Sequence, residues 1–134
     1  MYKRQAVQRE AVRPSMLAAF FAGDAGQRLL AAEELHREWP FNVMLRVEEA
    51  MPGEQDRFAG EEILVQGSVD CCFLENGGWI LLDYKTDRAD DLEAIRRHYE
   101  KQLRVYALAL ERITGLPVRQ KLLCLLGAGQ VLEV

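Results

Sequence analysis

Two aspartates and a lysine lie close together in the middle of the chain. Asp70 belongs to residues 63–74, and Asp83 and Lys85 belong to residues 79–86. Both segments are rich in aliphatic, aromatic and β-branched residues, which predicts two neighbouring strands. Asp83 and Lys85 are two residues apart and therefore project from the same face of their strand. The pattern predicts a cluster of three charged side chains on one face of a hairpin.

The turn between the two segments decides which of these side chains meet. It contains Asn76-Gly77, a strong hairpin signal, because both central residues of a type I′ turn need positive φ. If these are the two turn residues, Asp70 faces Asp83. If the turn slips by one residue, Asp70 pairs with Lys85, and all three polar groups remain on the same face.

Facing carboxylates have a definite chemical requirement. Like charges directly opposite each other destabilise a sheet, so Asp70 and Asp83 call for a cation. Mg²⁺ commonly takes one or two carboxylates and retains several waters. Such an ion can activate water and stabilise charge on a phosphodiester, and Lys85 can hold the water or balance the developing charge. The alternative is a hairpin with an ordinary Asp–Lys surface ion pair, which spacing alone favours.

Four segments together resemble the PD-(D/E)xK nuclease superfamily. The closest likeness is to the RecB-like nuclease domain at the C-terminal end of AddA-type helicase–nuclease subunits, which are ATP-dependent exonucleases. The segments are Arg37-Glu38-Trp39-Pro40-Phe41, Gly67-Ser68-Val69-Asp70, Leu82-Asp83-Tyr84-Lys85-Thr86-Asp87 and Gln102-Leu103-Arg104-Val105-Tyr106. The resemblance spans roughly residues 35–134, and its specificity comes from the combination of motifs.

The resemblance implies a fold and a metal site. The implied fold is α/β (α+β), a restriction-endonuclease-like core with a mixed central sheet flanked by helices. Asp70 and Asp83 are the implied metal ligands, joined by the backbone carbonyl of Tyr84. The implied cofactor is Mg²⁺, with Mn²⁺ as an alternative. Lys85 completes the catalytic set by positioning or activating water.

The resemblance also implies supporting residues. Gln102 and Tyr106 form the Gln-x-x-x-Tyr element of the RecB-like branch and are expected to support the site from a helix. The alternative is that neither residue has a functional role, so that Tyr106 is simply a core residue and Gln102 a residue at the core boundary. Glu38 is expected to have a role near the site, although a solvated glutamate on the polar side of a strand is the alternative.

The implied function is that of a Mg²⁺-dependent DNA nuclease domain in a helicase–nuclease for double-strand break repair and recombination. The implied partners are DNA, the helicase domain of the parent chain and a second helicase–nuclease subunit. One alternative is a catalytically inactive nuclease-like module with a DNA-binding or structural role. The other is a free-standing small nuclease of this superfamily, such as a resolvase or a CRISPR-associated exonuclease.

The chain departs from the family pattern in two places. Val69 stands where the superfamily name implies proline. A metal-binding histidine usually lies on a helix well before the Glu-x-Pro-Phe strand, and His36 is too close to Glu38 for that role. We therefore expect a C-terminal fragment or shortened protein, with one nuclease domain over residues 1–134. Residues 1–33 would form a helical lead-in, and residues 34–134 the nuclease core.

Composition restricts the classes of protein. The 134 residues suit one domain. No apolar run approaches the ~18–20 residues that span a bilayer, and no signal peptide is visible, which predicts a cytoplasmic protein without membrane contact. Three cysteines without a C-x-x-C motif predict buried reduced thiols and no iron–sulfur cluster. The net charge of −4 argues against broad electrostatic attachment to nucleic acid.

Other patterns predict the elements around the hairpin. Helices are expected from Pro14 and, after a break at Gly23, with Asp24 as a cap. Odd-numbered residues in 35–47 are apolar apart from Arg37, which predicts a strand with one buried face. A long helix is expected over residues 90–114, and strands over 118–126 and 130–134. Four basic residues of that helix either contact phosphates or form a solvated, salt-bridged face: Arg96, Arg97, Lys101 and Arg104.

Overall fold

The computed structural model describes residues 14–51, 53, 60–86 and 90–134. The predicted polar helix in residues 2–12 lies outside this part of the chain. The elements are α1 (Pro14–Ala22), α2 (Asp24–Leu30), β1 (Glu34–Arg46), α3 (Val47–Ala50), β2 (Glu62–Glu75), β3 (Gly78–Lys85), α4 (Leu92–Thr114), β4 (Val118–Leu125) and β5 (Gln130–Glu133).

A five-stranded sheet forms the centre of the molecule, in the order β1-β2-β3-β4-β5. Strands β3 and β4 are parallel, and the other neighbouring strands are antiparallel. The parallel pair needs a crossover, which α4 supplies. The predicted mixed sheet flanked by helices is confirmed. None of the helices in the described ranges is long and apolar enough to cross a membrane.

The β2–β3 turn has the predicted geometry. Asn76 has φ 51° and Gly77 has φ 79°, as a type I′ turn requires. Glu75 pairs with Gly78, and the pairing continues to Cys71 opposite Leu82. The ladder of pairs ends there. Continuing the same register by one position would place residue 70 opposite residue 83, and the Tyr84 amide bonds the Asp70 side chain. The slipped register, with residue 70 opposite residue 85, is therefore wrong.

Each face of the sheet is covered by helix. The α4 face buries a large apolar cluster that includes Leu45, Leu81, Leu103 and Leu123. The opposite face packs against α1 and α2 through Phe20, Leu29, Phe73 and Leu82. The adjacent residues Cys71 and Cys72 belong to different clusters, so they point to opposite faces as the alternation of a strand requires. Cys124 is also buried, and all three are free thiols.

The predicted alternation of β1 is wrong in its first half. Leu35 is 40% exposed and Arg37 is exposed, whereas Phe41 and later odd-numbered residues are buried. The cause is Glu38, whose φ of 50° lies in the left-handed region and reverses the side-chain alternation. His36 and Trp39 thereby reach the same face and stack, with ring centroids 4.2 Å apart. The strand also ends at Arg46, because the chain turns into the short helix α3.

Helix ends differ in how well the sequence predicts them. The N-cap of α2 is Gly23 and makes no side-chain capping bond, so Asp24 is the first helical residue and the predicted cap is wrong. For α4, Asp91 caps the N-terminus by accepting a hydrogen bond from the Ala94 amide at 3.1 Å. Gly115, with φ 74°, ends the helix in the left-handed conformation.

Candidate active site

The two acidic side chains meet beside the β2–β3 ladder. Asp83 is only 4% exposed, and Asp70 is half-buried. The backbone amide of Tyr84 donates a hydrogen bond of 3.0 Å to Asp70 Oδ2. The pKa of Asp70 is raised to about 7. Burial is the largest cause, repulsion from and hydrogen bonding to Asp83 add to it, and the Tyr84 amide and the Lys85 charge oppose it. Two carboxyl groups therefore share a poorly hydrated space.

Lys85 completes this cluster from two residues along β3. Its ammonium Nζ lies 3.1 Å from Asp83 Oδ2, and the residue is 4% exposed. The alternative of a surface ion pair is wrong, because both groups are buried. A buried ammonium beside two carboxylates neutralises one charge and leaves excess negative charge once both acids are ionised.

The donor atoms suit a small hard cation. Asp83 Oδ2 is buried and, within the described ranges, has no hydrogen bond of acceptable geometry despite its close ion pair. The backbone of Tyr84 adjoins Asp83 and bonds Asp70, so it runs beside both acids. Across the described residues, no three His, Cys, Asp or Glu side chains converge on one point. A bound Mg²⁺ would therefore complete its shell with waters and backbone oxygen, which is its usual habit.

Gln102 and Tyr106 lie one turn apart on α4, beside β2. Gln102 Nε2 donates a hydrogen bond of 3.2 Å to the Tyr106 hydroxyl. The Tyr106 ring meets Phe41 edge-on, with centroids 5.2 Å apart. A Cβ on Gly67 would lie 2.8 Å from Phe41 Cζ and 3.3 Å from Tyr106 Cε1, so glycine permits this close packing. The expected pair therefore forms on α4. It packs against β2 at Gly67, three positions before Asp70.

Glu38 stands at the level of the acids, on the edge strand. Arg37 pairs with Cys71 and Trp39 with Val69, which leaves Glu38 opposite Asp70. Its side chain is exposed, whereas Asp70 is half-buried and Asp83 is buried. Its positive φ costs conformational energy, and strain of this kind often occurs beside functional sites.

The four basic residues of α4 that were candidates for phosphate contact differ in their surroundings. The guanidinium of Arg104 donates to the carbonyl oxygens of Glu49 and Ala50 at 2.6 and 2.9 Å. These bonds hold the guanidinium against the last turn of α3, and a contact between Arg104 and phosphate stays an untested prediction. Arg96 is half-buried and lies 3.7 Å from Glu93. Arg97 and Lys101 are exposed and stay candidates for phosphate contact.

Tyr99 is a site neighbour that the sequence pattern indicates only as a core residue. Its ring centroid lies 4.5 Å from the Lys85 ammonium. One signal was present in the sequence, because Tyr99 precedes Gln102 by three residues and therefore occupies the same helical face. Nothing in the sequence indicated that the ring reaches the lysine.

Two carboxyl groups and a lysine on a hairpin, in a mixed sheet crossed by a long helix, are the arrangement that the sequence motifs predict for a nuclease. The family profile described as the PD-(D/E)XK nuclease superfamily matches residues 2–132 of the chain. The chain therefore belongs to the PD-(D/E)XK nuclease superfamily, and the predicted restriction-endonuclease-like fold is confirmed.

Similar proteins are ATP-dependent helicase/nuclease subunits A. That of Geobacillus kaustophilus is 41% identical over 96% of this chain and 11% of its own length. That of Thermoanaerobacter sp. is 36% identical over 94% of this chain and 10% of its own. That of Clostridium botulinum is 34% identical over 95% of this chain and 10% of its own length. The chain thus spans about a tenth of the length of these relatives.

The left-handed backbone at Glu38 predicts that glycine is more stabilising than valine at this position, the reverse of the order expected in an ordinary strand. We expect Glu38→Gly to leave the free energy of unfolding unchanged or raise it by up to about 1 kcal/mol, because glycine adopts positive φ without strain. Glu38→Val should lower it by about 1–3 kcal/mol. Asn42, exposed on the same strand with ordinary pairing to Gln66, is the matched control. There valine should be the more stable variant. Chemical denaturation measures all four, and the same order at both positions would contradict the expectation.

Proposed function

We propose that the chain is a Mg²⁺-dependent DNA nuclease domain that hydrolyses phosphodiester bonds. The observation that carries the proposal is the buried cluster of Asp70, Asp83 and Lys85, in which Nζ lies 3.1 Å from Asp83 Oδ2. Superfamily membership supports nuclease chemistry in general. Placing two carboxylates together without water is costly for folding, and a cation that binds between them offsets this cost.

Each side chain has a distinct proposed role. Asp70, Asp83 and the backbone carbonyl of Tyr84 would hold Mg²⁺ or Mn²⁺. When bound, the metal would supply Lewis acidity and a lowered pKa for water. Lys85, fixed by Asp83, would donate hydrogen bonds to the attacking water or to a phosphate oxygen.

The residues around this cluster are proposed to position it and the substrate. Gln102 and Tyr106 would brace β2 beside Asp70 and present the amide of Gln102 to the substrate side. Glu38 would act at the edge strand at the same level. Arg97 and Lys101 would contact phosphates, which contributes affinity without sequence specificity.

The proposal extends to a larger protein because of the relatives' names. They are helicase/nuclease subunits, and we infer an ATP-driven helicase domain as the source of the DNA strand. A second helicase–nuclease subunit, exonuclease action in double-strand break repair and recombination, and a cytoplasmic location belong to this inference. Residues 34–134 would be the nuclease core and residues 1–33 its lead-in. A net charge of −4 fits delivery of DNA by another part of the assembly.

Cleavage of end-labelled linear DNA tests the proposal directly. Single- and double-stranded substrates, labelled at either the 5′ or the 3′ end, are incubated with the protein and Mg²⁺, Mn²⁺ or a chelator. Mononucleotide or short products with metal, and none with chelator, are expected. Binding of Mn²⁺ by calorimetry without cleavage would instead support an inactive module. If the protein neither binds Mn²⁺ nor cleaves DNA, the proposal is overturned.

Metal affinity should depend on pH through Asp70. Its pKa is raised to about 7, so the metal-free site holds a proton that a bound ion must displace. The apparent affinity for Mn²⁺ is expected to rise up to roughly tenfold per pH unit below about pH 7 and to level off above it. Calorimetry at several pH values measures this rise. Affinity independent of pH across that interval would contradict the expectation.

The stability of the metal-free protein should change in the opposite direction. The folded-state pKa of Asp70 lies above its ordinary value of 3.8, so the folded protein binds the proton more tightly than the unfolded chain does. This contribution is fully present below about pH 4 and is lost as pH rises through about 7. Thermal unfolding in chelator measures it, and Asp70→Asn should remove it.

A further inference from the structure

The aromatic ring of Tyr99 covers the ammonium of Lys85 on the α4 side of the sheet. The distance from Nζ to the ring centroid is 4.5 Å, within the range of a cation–π contact. Tyr99 is 7% exposed and Lys85 is 4% exposed, so the contact is shielded from water. Shielding strengthens the attraction between a cation and the face of a ring.

Lys85 needs such a contact because of its own chemistry. A lysine side chain has four rotatable bonds and a compact ammonium with three donors. Asp83 restrains this ammonium from one direction through the ion pair of 3.1 Å. The ring of Tyr99 restrains it from another direction without accepting all of its hydrogen bonds. The ammonium is thereby held in place with donor capacity available for a ligand.

The ring is itself held rigidly. Tyr99 is about two turns from the N-terminus of α4, whose start is fixed by the Asp91 cap. Leu103, one turn later on the same face, is completely buried in the main apolar cluster. His98 meets the Tyr99 ring edge-on, with centroids 4.6 Å apart. A crossover helix that is packed against the sheet therefore fixes the ring over the lysine.

We propose that Tyr99 is a positioning residue that holds the Lys85 ammonium beside Asp83, where the phosphodiester is cleaved. The inference rests on the proposed nuclease function. Tyr99 acts through Lys85, and its contribution is to the orientation of the ammonium rather than to binding of DNA.

Two substitutions separate the ring from the hydroxyl. Tyr99→Leu keeps an apolar side chain but removes the π face, and Tyr99→Phe keeps the face. In assays that contain Mg²⁺ and vary the DNA concentration, Tyr99→Leu is expected to lower kcat by about 3- to 30-fold. This factor corresponds to the loss of a cation–π contact. KM for DNA should stay unchanged. The separate variant Tyr99→Phe should retain most of the wild-type kcat.

A matched control distinguishes positioning from loss of core packing. Phe73→Leu makes the same change from an aromatic ring to leucine at a completely buried site on the opposite face of the sheet. It should lower the melting temperature while leaving kcat unchanged at a temperature where the protein is folded. An equal fall of kcat in both variants would overturn the proposal in favour of general destabilisation.

The remaining outcomes distinguish the inference from the proposed function. If the wild type cleaves DNA and Tyr99→Leu has the same kcat, the positioning role is overturned and the nuclease function stands. If the wild type does not cleave, the nuclease function fails, and NMR of ¹³C-lysine-labelled protein decides the positioning claim. The ε-methylene signal of Lys85 should be rigid and shifted by the ring in the wild type and in Tyr99→Phe. Retention of that rigid signal in Tyr99→Leu would overturn the claim.

Discussion

Asp83→Asn is expected to lower metal-dependent DNA cleavage by about a thousandfold or more. The substitution removes a buried carboxylate that would bind the ion and that orients Lys85 at 3.1 Å. Loss of several kcal/mol of transition-state stabilisation corresponds to a factor of this size. Initial cleavage rates at saturating Mg²⁺ measure the effect, and calorimetry with Mn²⁺ should show lost or strongly weakened binding.

Asp70→Asn should separate activity from stability within the same site. It should also abolish cleavage, yet raise the free energy of unfolding of the metal-free protein by about 0.5–2 kcal/mol near pH 8. The reason is that it removes one of two mutually repelling carboxylates, whose repulsion helps to raise the pKa of Asp70. Asp24→Asn is the control, since the Asp24 side chain is 90% exposed and should affect neither property. Cleavage by Asp70→Asn at the wild-type rate would remove the proposed mechanism.

Gly26→Ala is expected to have the largest effect on the fold among single methyl additions. A Cβ at this position would fall on the Phe20 carbonyl oxygen and lie 2.6 Å from Phe21 Cα, so backbone rather than a flexible side chain stands in the way. Overpacking of this kind costs typically about 1–3 kcal/mol and occasionally more. Chemical denaturation should show that the free energy of unfolding falls by an amount in this range, unless α1 and α2 move apart to make room.

Gly23→Ala provides the comparison for that prediction. A Cβ there would be 3.4 Å from its nearest neighbour, the Phe20 carbonyl oxygen, which is close to ordinary contact. Its effect should be only a few tenths of a kcal/mol, because alanine is a poorer N-cap than glycine. Equal losses for the two variants would show that α1 and α2 move apart easily and that their packing is not specific.

The Gly26 substitution should also reach the site through one aromatic contact. Phe20 at the end of α1 meets the Tyr84 ring edge-on, with centroids 5.6 Å apart. Tyr84 lies between Asp83 and Lys85 on β3, and its backbone amide bonds Asp70. Displacement of α1 should therefore lower cleavage more than a surface substitution does, although no residue of α1 or α2 is proposed to touch DNA.

The hairpin was predictable from local sequence because its turn chemistry is strict. Asn76 and Gly77 both need positive φ, so the turn residues determine the pairing register. The register in turn determines that residue 70 faces residue 83. The long helix was equally predictable, since Asp91 and Gly115 mark its ends by capping chemistry. Thus the acidic pair followed from a few residues of strong local preference.

Other features depend on tertiary contacts that local patterns do not encode. Glutamate rarely adopts positive φ, so no rule predicted the reversal of β1 at Glu38. Ile113 is an apolar residue in the last turn of α4, yet it is 46% exposed. Arg104 turns toward the carbonyl oxygens of α3, which are distant in sequence.

The irregular edge strand has a consequence for solution behaviour. β1 is 13 residues long and forms one edge of the sheet, where an uninterrupted strand would template pairing with another chain. Proline at position 40 lacks an amide hydrogen, and the left-handed residue two positions earlier twists the backbone out of line. We therefore expect the proline and the left-handed residue also to disfavour edge-to-edge self-association at high concentration.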